Sequence, residues 1–405
     1  MRRAFLSLVL LGLASPAPAQ IGLPRPGEVL GPVAGTLDRT LDRTLEGTRD
    51  IATGVTQLAR ERVQRLTALA RANPQRIELD DRGEPARRGI VLLLDADAAS
   101  IAAARKLGFG ASQSDDLDAL GIATAELTVP EGMSLARALK ALRKALPGKE
   151  LSADVLHFES GAAATQGSAP SPNGTPIDTP VGLIDSGVAS LVPVAEQRGF
   201  ATGAPGASDH GTAVAALLRG AGVKTLYAAD VYGRDPAGGG ALAIAKALGW
   251  LVGKKVRIVS ISLVGPRNPL LERAVAATLA RGTLVVAAVG NDGPSAPPAY
   301  PASYPGVLAI TAVDGRNRPL IEAGRALHLD YSAPGADISA PDARGTRKAV
   351  RGTSYATPLV AARAAAALDA GRPVRAALDA EAQDLGRKGP DDRFGRGLIC
   401  GACGR

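Results

Sequence analysis

Residues 181 to 187 read Val-Gly-Leu-Ile-Asp-Ser-Gly, a short apolar run that ends in a carboxylate. This run begins a series in which apolar, strand-like segments alternate with helical ones as far as residue 368. Such alternation is typical of an α/β protein whose parallel sheet carries helices on both faces. Functional side chains in these sheets lie at the carboxyl ends of the strands, so the residues that end each run are candidates for a site.

Hydrophobic residues make up 46% and charged residues 21% of the 405-residue chain, a composition typical of folded proteins. The length predicts one large domain or two to three ordinary ones. The net charge of +8 raises the question of nucleic-acid binding, but aromatic residues are only 3% and the basic residues are scattered. We therefore interpret the charge as solvated surface and expect no nucleic-acid partner.

The first nineteen residues have the pattern of a secretory signal peptide. Met1-Arg2-Arg3 is basic, residues 4 to 13 are mostly apolar, and Ala17-Pro18-Ala19 has the small-x-small form of a cleavage site. No later segment is long and apolar enough to predict a stable membrane span. The sequence thus predicts cleavage after Ala19 and export to the periplasm or the extracellular space.

Residues 20 to 88 combine a Gly- and Pro-rich linker with an amphipathic helical region. A tandem repeat of period four covers residues 37 to 48, and apolar positions at helical spacing continue to Asn73-Pro74. The pattern predicts one or two helices. Packing on a neighbouring domain is the more common role of such a stripe, and a partner-binding or membrane-surface role stays open.

Residues 89 to 159 predict a small α+β domain. Apolar runs at 89–94 and 122–129, helical patterns at 98–107 and 134–143, a short strand near 109–112 and a last run at 153–158 give the split βαβ, ferredoxin-like order. Residues 160 to 176 then predict a flexible linker, residues 177 to 400 the large α/β domain, and residues 401 to 405 a tail. Cys400 and Cys403, the chain's two cysteines, suggest a local disulfide in an oxidising compartment.

Four polar residues stand where the predicted strands end or helices begin: Asp185, His210, Asn291 and Ser354. Each has an ordinary structural interpretation. Asp185 and Ser354 could cap the next turn or helix, His210 could be structural, and Asn291 could form a turn. Together they supply a carboxylate, an imidazole, an amide donor and a hydroxyl, which is the set that nucleophilic acyl transfer needs.

The segments around these residues resemble the subtilisin-type serine proteases. They are Gly-Leu-Ile-Asp-Ser-Gly-Val at 182–188, Asp-His-Gly-Thr-Ala-Val-Ala at 209–215, Ala-Ala-Val-Gly-Asn-Asp-Gly at 287–293 and Gly-Thr-Ser-Tyr-Ala-Thr-Pro at 352–358. Ser332 to Ile338 resembles a further family segment, and residues 89–159 are similar to the family's propeptide. The chain departs from the family at Ala213, where a second His is common, and at Tyr355, where Met is common.

The resemblance implies a secreted serine endopeptidase made as a zymogen, with polypeptide substrates and its own propeptide as an intramolecular inhibitor. Asp185 would orient His210, His210 would take the proton of Ser354, and Asn291 with the Ser354 amide would hold the oxyanion. Substrate contacts are expected from two segments, at Ser262, Leu263, Val264, Gly265, Ala288 and Gly290. Their small and apolar side chains suggest an apolar residue before the scissile bond. No cofactor and no particular metal are predicted.

The sequence also predicts an autocatalytic cut between about Glu159 and Asn173, where the linker follows the propeptide-like block. Two alternatives stay open at this point. One is a catalytically silent binding protein on the same fold. The other is an esterase with Ser186 as nucleophile, which would leave Asn291 and Ser354 unexplained.

Overall fold

The computed structural model of the chain describes residues 57–58, 60–113, 115–160, 162–164 and 174–401. The predicted signal peptide, the period-four repeat and the tail beyond residue 401 lie outside these residues. Residues 161 and 165–173 of the predicted linker also lie outside them. The helical stripe predicted up to residue 73 is described only in its last part, where residues 60–72 form helix α1.

A seven-stranded sheet forms the centre of residues 174–401. Its strands run β15-β14-β13-β11-β8-β10-β9, and all neighbours are parallel. The bounds are β8 Val181–Asp185, β9 Glu196–Gly199, β10 Leu226–Asp230, β11 Ile258–Ile261, β13 Leu284–Ala288, β14 Leu308–Val313 and β15 Tyr331–Pro334. The fold class predicted from the alternation of strands and helices is therefore confirmed.

Helices cover both faces of this sheet because its strands are apolar on both sides. In β8, Val181 and Leu183 belong to the same apolar cluster as helices α4 (Asp209–Gly220) and α7 (Thr353–Asp369). Ile184 belongs to the cluster of the opposite face, with α5 (Ala241–Gly253) and α6 (Pro269–Ala280). Gly182 allows α5 to approach closely, since a Cβ there would lie 2.8 Å from the Leu251 side chain. Helix α8 (Val374–Glu381) follows α7.

A second, antiparallel sheet forms from residues before 160. Its strands are β1 Ile77–Leu79, β2 Pro85–Leu94, β3 Gly110–Gln113, β4 Thr124–Thr128 and β5 Leu151–Val155, and the helices are α2 Ala98–Lys106 and α3 Leu135–Ala145, with a 3-10 helix at Asp115–Leu120. Strand β2 lies between β4 and β5, and β3 pairs with β4. The elements follow the strand, helix, strand, strand, helix, strand order of the ferredoxin-like prediction.

This antiparallel sheet lies against α5 and α6, and one apolar cluster includes side chains of both parts. Polar contacts fix its position at the two helix N-termini, whose first amides lack intrahelical partners. The Asp154 carboxylate accepts a hydrogen bond from the Leu242 amide at 2.9 Å. The fully buried Asn268 caps α6 and donates from Nδ2 to Ser152 Oγ and the Ala153 carbonyl oxygen. The docking is thus specified by polar as well as apolar groups.

Two short strands lie at the junction where the sequence predicted a flexible linker from residue 160 onward. β6 (Phe158–Glu159) pairs antiparallel with β12 (Leu263–Val264), and β7 (Ala162–Ala164) pairs antiparallel with β17 (Arg347–Arg351), which also pairs with β16 (Ile338–Pro341). Strand addition relies on main-chain hydrogen bonds, so it does not require an alternating side-chain pattern. The small-residue composition of the predicted linker therefore concealed strand β7.

Two further sequence predictions concern the compartment. Within the described part of the chain, no helix has the length and apolarity needed to cross a membrane. Cys400 is disulfide-bonded, and Cys403, the only other cysteine of the sequence, lies outside the described residues.

Candidate active site

Asp185 and His210 are in direct contact at the carboxyl end of β8 and the start of α4. Ser208 caps α4, which places His210 in the first turn of the helix. The His210 Nδ1 donates to Asp185 Oδ1 at 2.7 Å, and both side chains are buried. Burial alone would lower the pKa of His210, but the Asp185 carboxylate, and to a lesser extent Glu159, outweigh it and raise this pKa to about 9.

Ser354 lies in the first turn of α7 and does not cap it. The residue before the helix is Gly352, with φ of 144°, a conformation that favours glycine, and it provides no side-chain cap. The first amides of a helix have no intrahelical partner, and the helix dipole makes this end attractive to negative charge. The amide and the hydroxyl of Ser354 are thus both available to a carbonyl oxygen in the cleft.

Asn291 follows β13 and is held in place by the start of α7. Its Oδ1 accepts a hydrogen bond from the Thr353 amide at 3.0 Å. The Thr353 hydroxyl in turn accepts from the Gly290 amide at 3.1 Å. These two contacts fix the orientation of the Asn291 side-chain amide, so that its Nδ2 points toward the Ser160 carbonyl oxygen. Thr353 was not singled out by the sequence analysis, although it directly precedes Ser354 in the Gly-Thr-Ser motif.

The Ser160 carbonyl oxygen is the point where these donors converge. It accepts hydrogen bonds from the Ser354 amide at 3.1 Å, from the Ser354 hydroxyl and from Asn291 Nδ2. The Ser160 amide donates to the Ser262 carbonyl oxygen at 3.2 Å, which extends the pairing of β6 with β12. The structure thus brings a peptide carbonyl of the chain itself to the predicted nucleophile and the predicted oxyanion donor.

Glu159 connects this carbonyl to the Asp185–His210 pair. Its Oε1 lies 4.0 Å from His210 Nδ1, and the next residue in the chain is Ser160. Burial raises the pKa of Glu159, against the opposing effect of nearby His210. The ring of Tyr355 lies 5.5 Å from the ring of His210, centroid to centroid. The Asp185–His210 pair is therefore next to the Ser160 and Ser354 pair through their chain neighbours, Glu159 and Tyr355.

His210 Nε2 is buried and has no hydrogen-bond partner among the described residues, because the Ser354 hydroxyl donates to Ser160. A base in acyl transfer must accept the proton of the nucleophile, and catalytic hydrogen bonds often form only as the reaction proceeds. Rotation of the Ser354 hydroxyl away from the Ser160 oxygen would free its proton for a base.

The six predicted substrate-contacting residues have different environments. Ser262 accepts hydrogen bonds from the Ser160 amide and hydroxyl, and Leu263 and Val264 pair with Glu159 and Phe158. Gly265 faces His157, whose ring lies only 2.6 Å from where a Cβ would be. Val264, Gly265 and Gly290 line a cavity of about 800 Å³ that Ser160 also lines. Ala288 is fully buried at the end of β13.

Ser186, the alternative nucleophile, is already engaged in structural hydrogen bonds. Its hydroxyl donates to Asp185 Oδ1 and accepts from the Gly211 amide, each at 3.1 Å. The residue is buried. Ser186 therefore supports the position of Asp185 relative to α4, and this geometry does not favour the esterase alternative.

Within the described residues, the grouping with the spacing of a metal site is Glu159, Asp185 and His210, whose ligand atoms lie within 4.8 Å of one another. His210 Nδ1 is already bonded to Asp185 at 2.7 Å. A metal ion would have to replace that hydrogen bond, so the contacts fit a carboxylate that orients an imidazole better than they fit a metal centre.

A parallel sheet covered by helices on both faces, with an Asp–His pair at one strand end and a Ser at a helix N-terminus, defines the class of this fold as α/β. The chain belongs to the subtilase family, whose family model matches residues 179–397. It is 33% identical over 246 residues to subtilisin from Bacillus pumilus, a match that covers 54% of this chain and 88% of that protein.

Other relatives agree with this membership. Subtilisin E of Bacillus subtilis (strain 168) is 33% identical over 246 residues, and the match spans 54% of this chain but only 63% of that protein, a little under two thirds of its length. Subtilisin BL of Lederbergia lenta is 36% identical over 203 residues, which is 46% of this chain and 74% of that protein. In fold, the chain is similar to fervidolysin from Fervidobacterium pennivorans, with a TM-score of 0.63, 18% identity, and coverage of 81% of this chain and 62% of that one.

Proposed function

We propose that the protein is a serine endopeptidase synthesised as a zymogen, with Ser354 as nucleophile, His210 as general base, Asp185 as its orienting carboxylate and Asn291 as an oxyanion donor. The observation that carries the proposal is the Ser160 carbonyl oxygen, which accepts hydrogen bonds from the Ser354 amide and from Asn291 Nδ2. Donors aimed at an oxygen that becomes negative during attack stabilise the transition state. Family membership supports the same reaction class.

The first substrate of this enzyme would be the bond between Ser160 and Gly161 of its own chain. Ser354 Oγ attacks the Ser160 carbonyl carbon while its proton passes to His210 Nε2. The peptide bond then breaks as His210 gives that proton to the Gly161 nitrogen, and water hydrolyses the acyl-enzyme. The predicted range for the cut, about 159 to 173, includes this bond.

The separated block up to Ser160 would remain as an inhibitor until it leaves. It would keep its contacts through Asn268, Leu242 and the β6–β12 pair, none of which depends on the bond that is cut. Substrate contacts are proposed for Ser262, Leu263, Val264, Gly265 and Gly290, with Ala288 behind them. Export, with a signal peptide ending at Ala19, is proposed from the sequence pattern alone.

Ser354→Ala tests the assignment, with Ser186→Ala as its matched control. Loss of a triad nucleophile costs on the order of 10⁶ in rate, so S354A should hydrolyse no casein, bind no fluorophosphonate probe and keep residues 160 and 161 joined by mass spectrometry. S186A should still bind the probe. Probe labelling and hydrolysis by S354A would contradict the proposal, and an unreactive wild-type chain would favour the silent binding protein.

A further inference from the structure

Helix α1 and the bound segment, residues 158–160, pack against one apolar cluster, although more than eighty residues separate them in sequence. Leu69 and Ala70 of α1 are partly buried against this cluster, and so is Phe158 of the bound segment. Ala237 of the large domain is one of the buried members of the cluster. The cluster therefore joins α1, the bound segment and the large domain.

Helix α1 also lines the cavity next to the bound segment. Arg62 Nε lies 3.2 Å from Asp292 Oδ2, and Arg65 Nη2 lies 2.5 Å from Asp292 Oδ1. These three side chains line the cavity of about 800 Å³ together with the bound segment. The Leu58 side chain, just before α1, lies against Gly293, where a Cβ would meet it at 3.0 Å. Ion pairs and an apolar contact therefore hold α1 on the large domain.

A tight turn and an ion pair connect helix α1 to the antiparallel sheet. Asn73 follows the helix, and its Nδ2 donates to the Leu69 carbonyl oxygen at 3.0 Å. The Asn73 carbonyl oxygen accepts a hydrogen bond from the amide of Ile77, the first residue of β1, at 2.9 Å. Arg62 Nη2 lies 3.7 Å from Glu84 Oε2. Because these contacts link α1 to the N-terminal block, the block can leave the cleft only if α1 leaves the large domain.

The bound segment has only a short main-chain pairing of its own. Strand β6 has two residues and pairs with the two residues of β12. A pairing of two short strands is marginally stable in water unless another element packs on it. A cut after Ser160 would also separate this segment from β7, which pairs with β17 on the other side of the bond. The contacts of α1 do not depend on that bond, so they would remain after the cut.

We propose that α1 is an autoinhibitory helix that keeps the cleaved N-terminal block in the cleft, and that the ion pairs of Arg62 and Arg65 with Asp292 make release of the block depend on ionic strength. The inference rests on the proposed protease function and concerns the regulation of the same site. The distance over which exposed charges interact falls from about 10 Å at about 0.1 M salt to about 3 Å at about 1 M. The Arg65 side chain is 58% exposed, so salt weakens its pair with Asp292. Self-cleavage and the appearance of activity are then separate events, and salt accelerates the second.

The test measures the interval between two events in the full-length chain: the cut between residues 160 and 161, followed by mass spectrometry, and the appearance of activity on a peptide substrate. In the wild type this interval should be measurable at about 0.1 M NaCl and about tenfold shorter at about 1 M. Arg62→Gln combined with Arg65→Gln should shorten it about tenfold at low salt and remove its salt dependence, because the charges that pair with Asp292 are gone. The rate of the cut itself should not change.

Arg60→Gln combined with Arg71→Gln is the matched control, since both are exposed arginines of α1 that do not line the cavity. This variant loses the same charge and should keep the wild-type interval. Leu69→Ala provides a further measurement that leaves all charges in place. It should shorten the interval, because an apolar contact of α1 is lost, and it should retain the salt dependence.

Three results would overturn the inference: a wild-type interval that does not change with salt, an R62Q/R65Q interval equal to that of the wild type, or the same shortening in R60Q/R71Q. If R62Q/R65Q does not fold, the wild-type salt series and L69A decide the question, and an unchanged L69A interval counts against the inference. A wild-type chain that neither cuts itself nor hydrolyses the peptide contradicts the protease function itself. A cut that is followed at once by activity overturns only the role of α1.

Discussion

The Ser354 amide donates to the Ser160 carbonyl oxygen at 3.1 Å, although the two residues are 194 positions apart in sequence. Asn291 Nδ2 donates to the same oxygen. A carbonyl held in this way is already oriented for attack, and the donors need no rearrangement when negative charge develops. The fold thus aligns one bond of its own chain with the groups that we propose will cut it.

Asn291→Ala should lower kcat of the mature enzyme by 10² to 10³, or about 2.7 to 4 kcal/mol in the barrier, because one oxyanion donor is lost. Asn291→Asp separates the loss of the oxyanion donor from the loss of the hydrogen bond that Asn291 Oδ1 accepts from the Thr353 amide. An aspartate still offers an acceptor to the Thr353 amide but no amide donor, so it should be at least as inactive. Steady-state kinetics on a peptide substrate measure both variants, and an N291D enzyme with wild-type kcat would contradict the role.

Self-cleavage should accelerate with rising pH and reach half its maximum near pH 9. Only neutral His210 can accept the Ser354 proton, and in the uncut chain its pKa is raised to about 9, mainly by Asp185 with a contribution from Glu159. Glu159→Gln removes that contribution and should move the midpoint to lower pH. Glu196→Gln, at a surface glutamate paired with Lys254, should leave it in place. Cleavage rates from stopped time points at each pH measure the midpoint, and an upward shift in E159Q would contradict the assignment.

Acid should release the cleaved N-terminal block, and His157 should be responsible. This side chain is fully buried, and neither ring nitrogen has a hydrogen-bond partner in the part of the chain that the structure describes. Burial lowers its pKa to about 4 from an ordinary value of 6.5. The bound state therefore disfavours the charged ring. Binding should be full above pH 6.5 and weaken as pH falls toward 4, by roughly a hundredfold or more, since each pKa unit of difference is tenfold.

His157→Phe provides the comparison, because a phenyl ring fills a similar space and does not titrate. Release is followed as recovery of peptidase activity after dilution at a series of pH values. The H157F block should dissociate at a rate nearly independent of pH between 6.5 and 4.5, while His328→Phe, at a partly exposed histidine, should retain the wild-type dependence. Equal acid sensitivity of H157F and wild type would assign the effect to another group.

The prediction of the site from sequence depends on residues whose chemistry and position in the fold coincide. Asp185 and Asn291 follow apolar strands, and His210 and Ser354 begin helices, so a parallel topology places all four at one edge of the sheet. The ferredoxin-like block was predicted from the apolar runs at 89–94 and 122–129, which contain the second half of β2 and all of β4. The edge strand β9 was missed because its sequence, Glu-Gln-Arg-Gly, has no apolar signal.

The contacts between the N-terminal block and the large domain around Ser354 cannot be predicted from the sequence. Ser160 lies in the cleft because its backbone pairs with Ser262, and main-chain groups are the same in every residue. The ion pair between Arg62 Nε and Asp292 Oδ2, 3.2 Å apart, depends on where helix α1 packs. The hydrophobic periodicity of α1 does not specify that position. Local patterns therefore predict the candidate catalytic groups, while the register of the segment at Ser160 and the ion pairs with helix α1 require the tertiary structure.

Gly211 is expected to be irreplaceable, because it allows α4 to lie directly on the chain after β8. A Cβ at this position would stand 2.1 Å from the Ser186 carbonyl oxygen, and the Gly211 amide donates to Ser186 Oγ at 3.1 Å. Gly211→Ala must therefore push the start of α4 away from residues 185 and 186, which separates His210 from Asp185. Overpacking of this kind costs about 1 to 3 kcal/mol in the free energy of unfolding, and the displaced imidazole should lower self-cleavage at least tenfold.

Gly253→Ala is the matched substitution, at a helical glycine whose added Cβ would meet nothing within 4 Å. Alanine at this last residue of α5 should stabilise the protein by about 0.4 to 1 kcal/mol, since it lowers the conformational entropy of the unfolded chain. Denaturant unfolding and the rate of self-cleavage separate the two variants. Wild-type stability and cleavage in G211A would show that Asp185 and His210 do not depend on this close approach. If G211A loses stability and self-cleavage while G253A keeps them, the contact between Asp185 and His210 requires the absence of a side chain at residue 211.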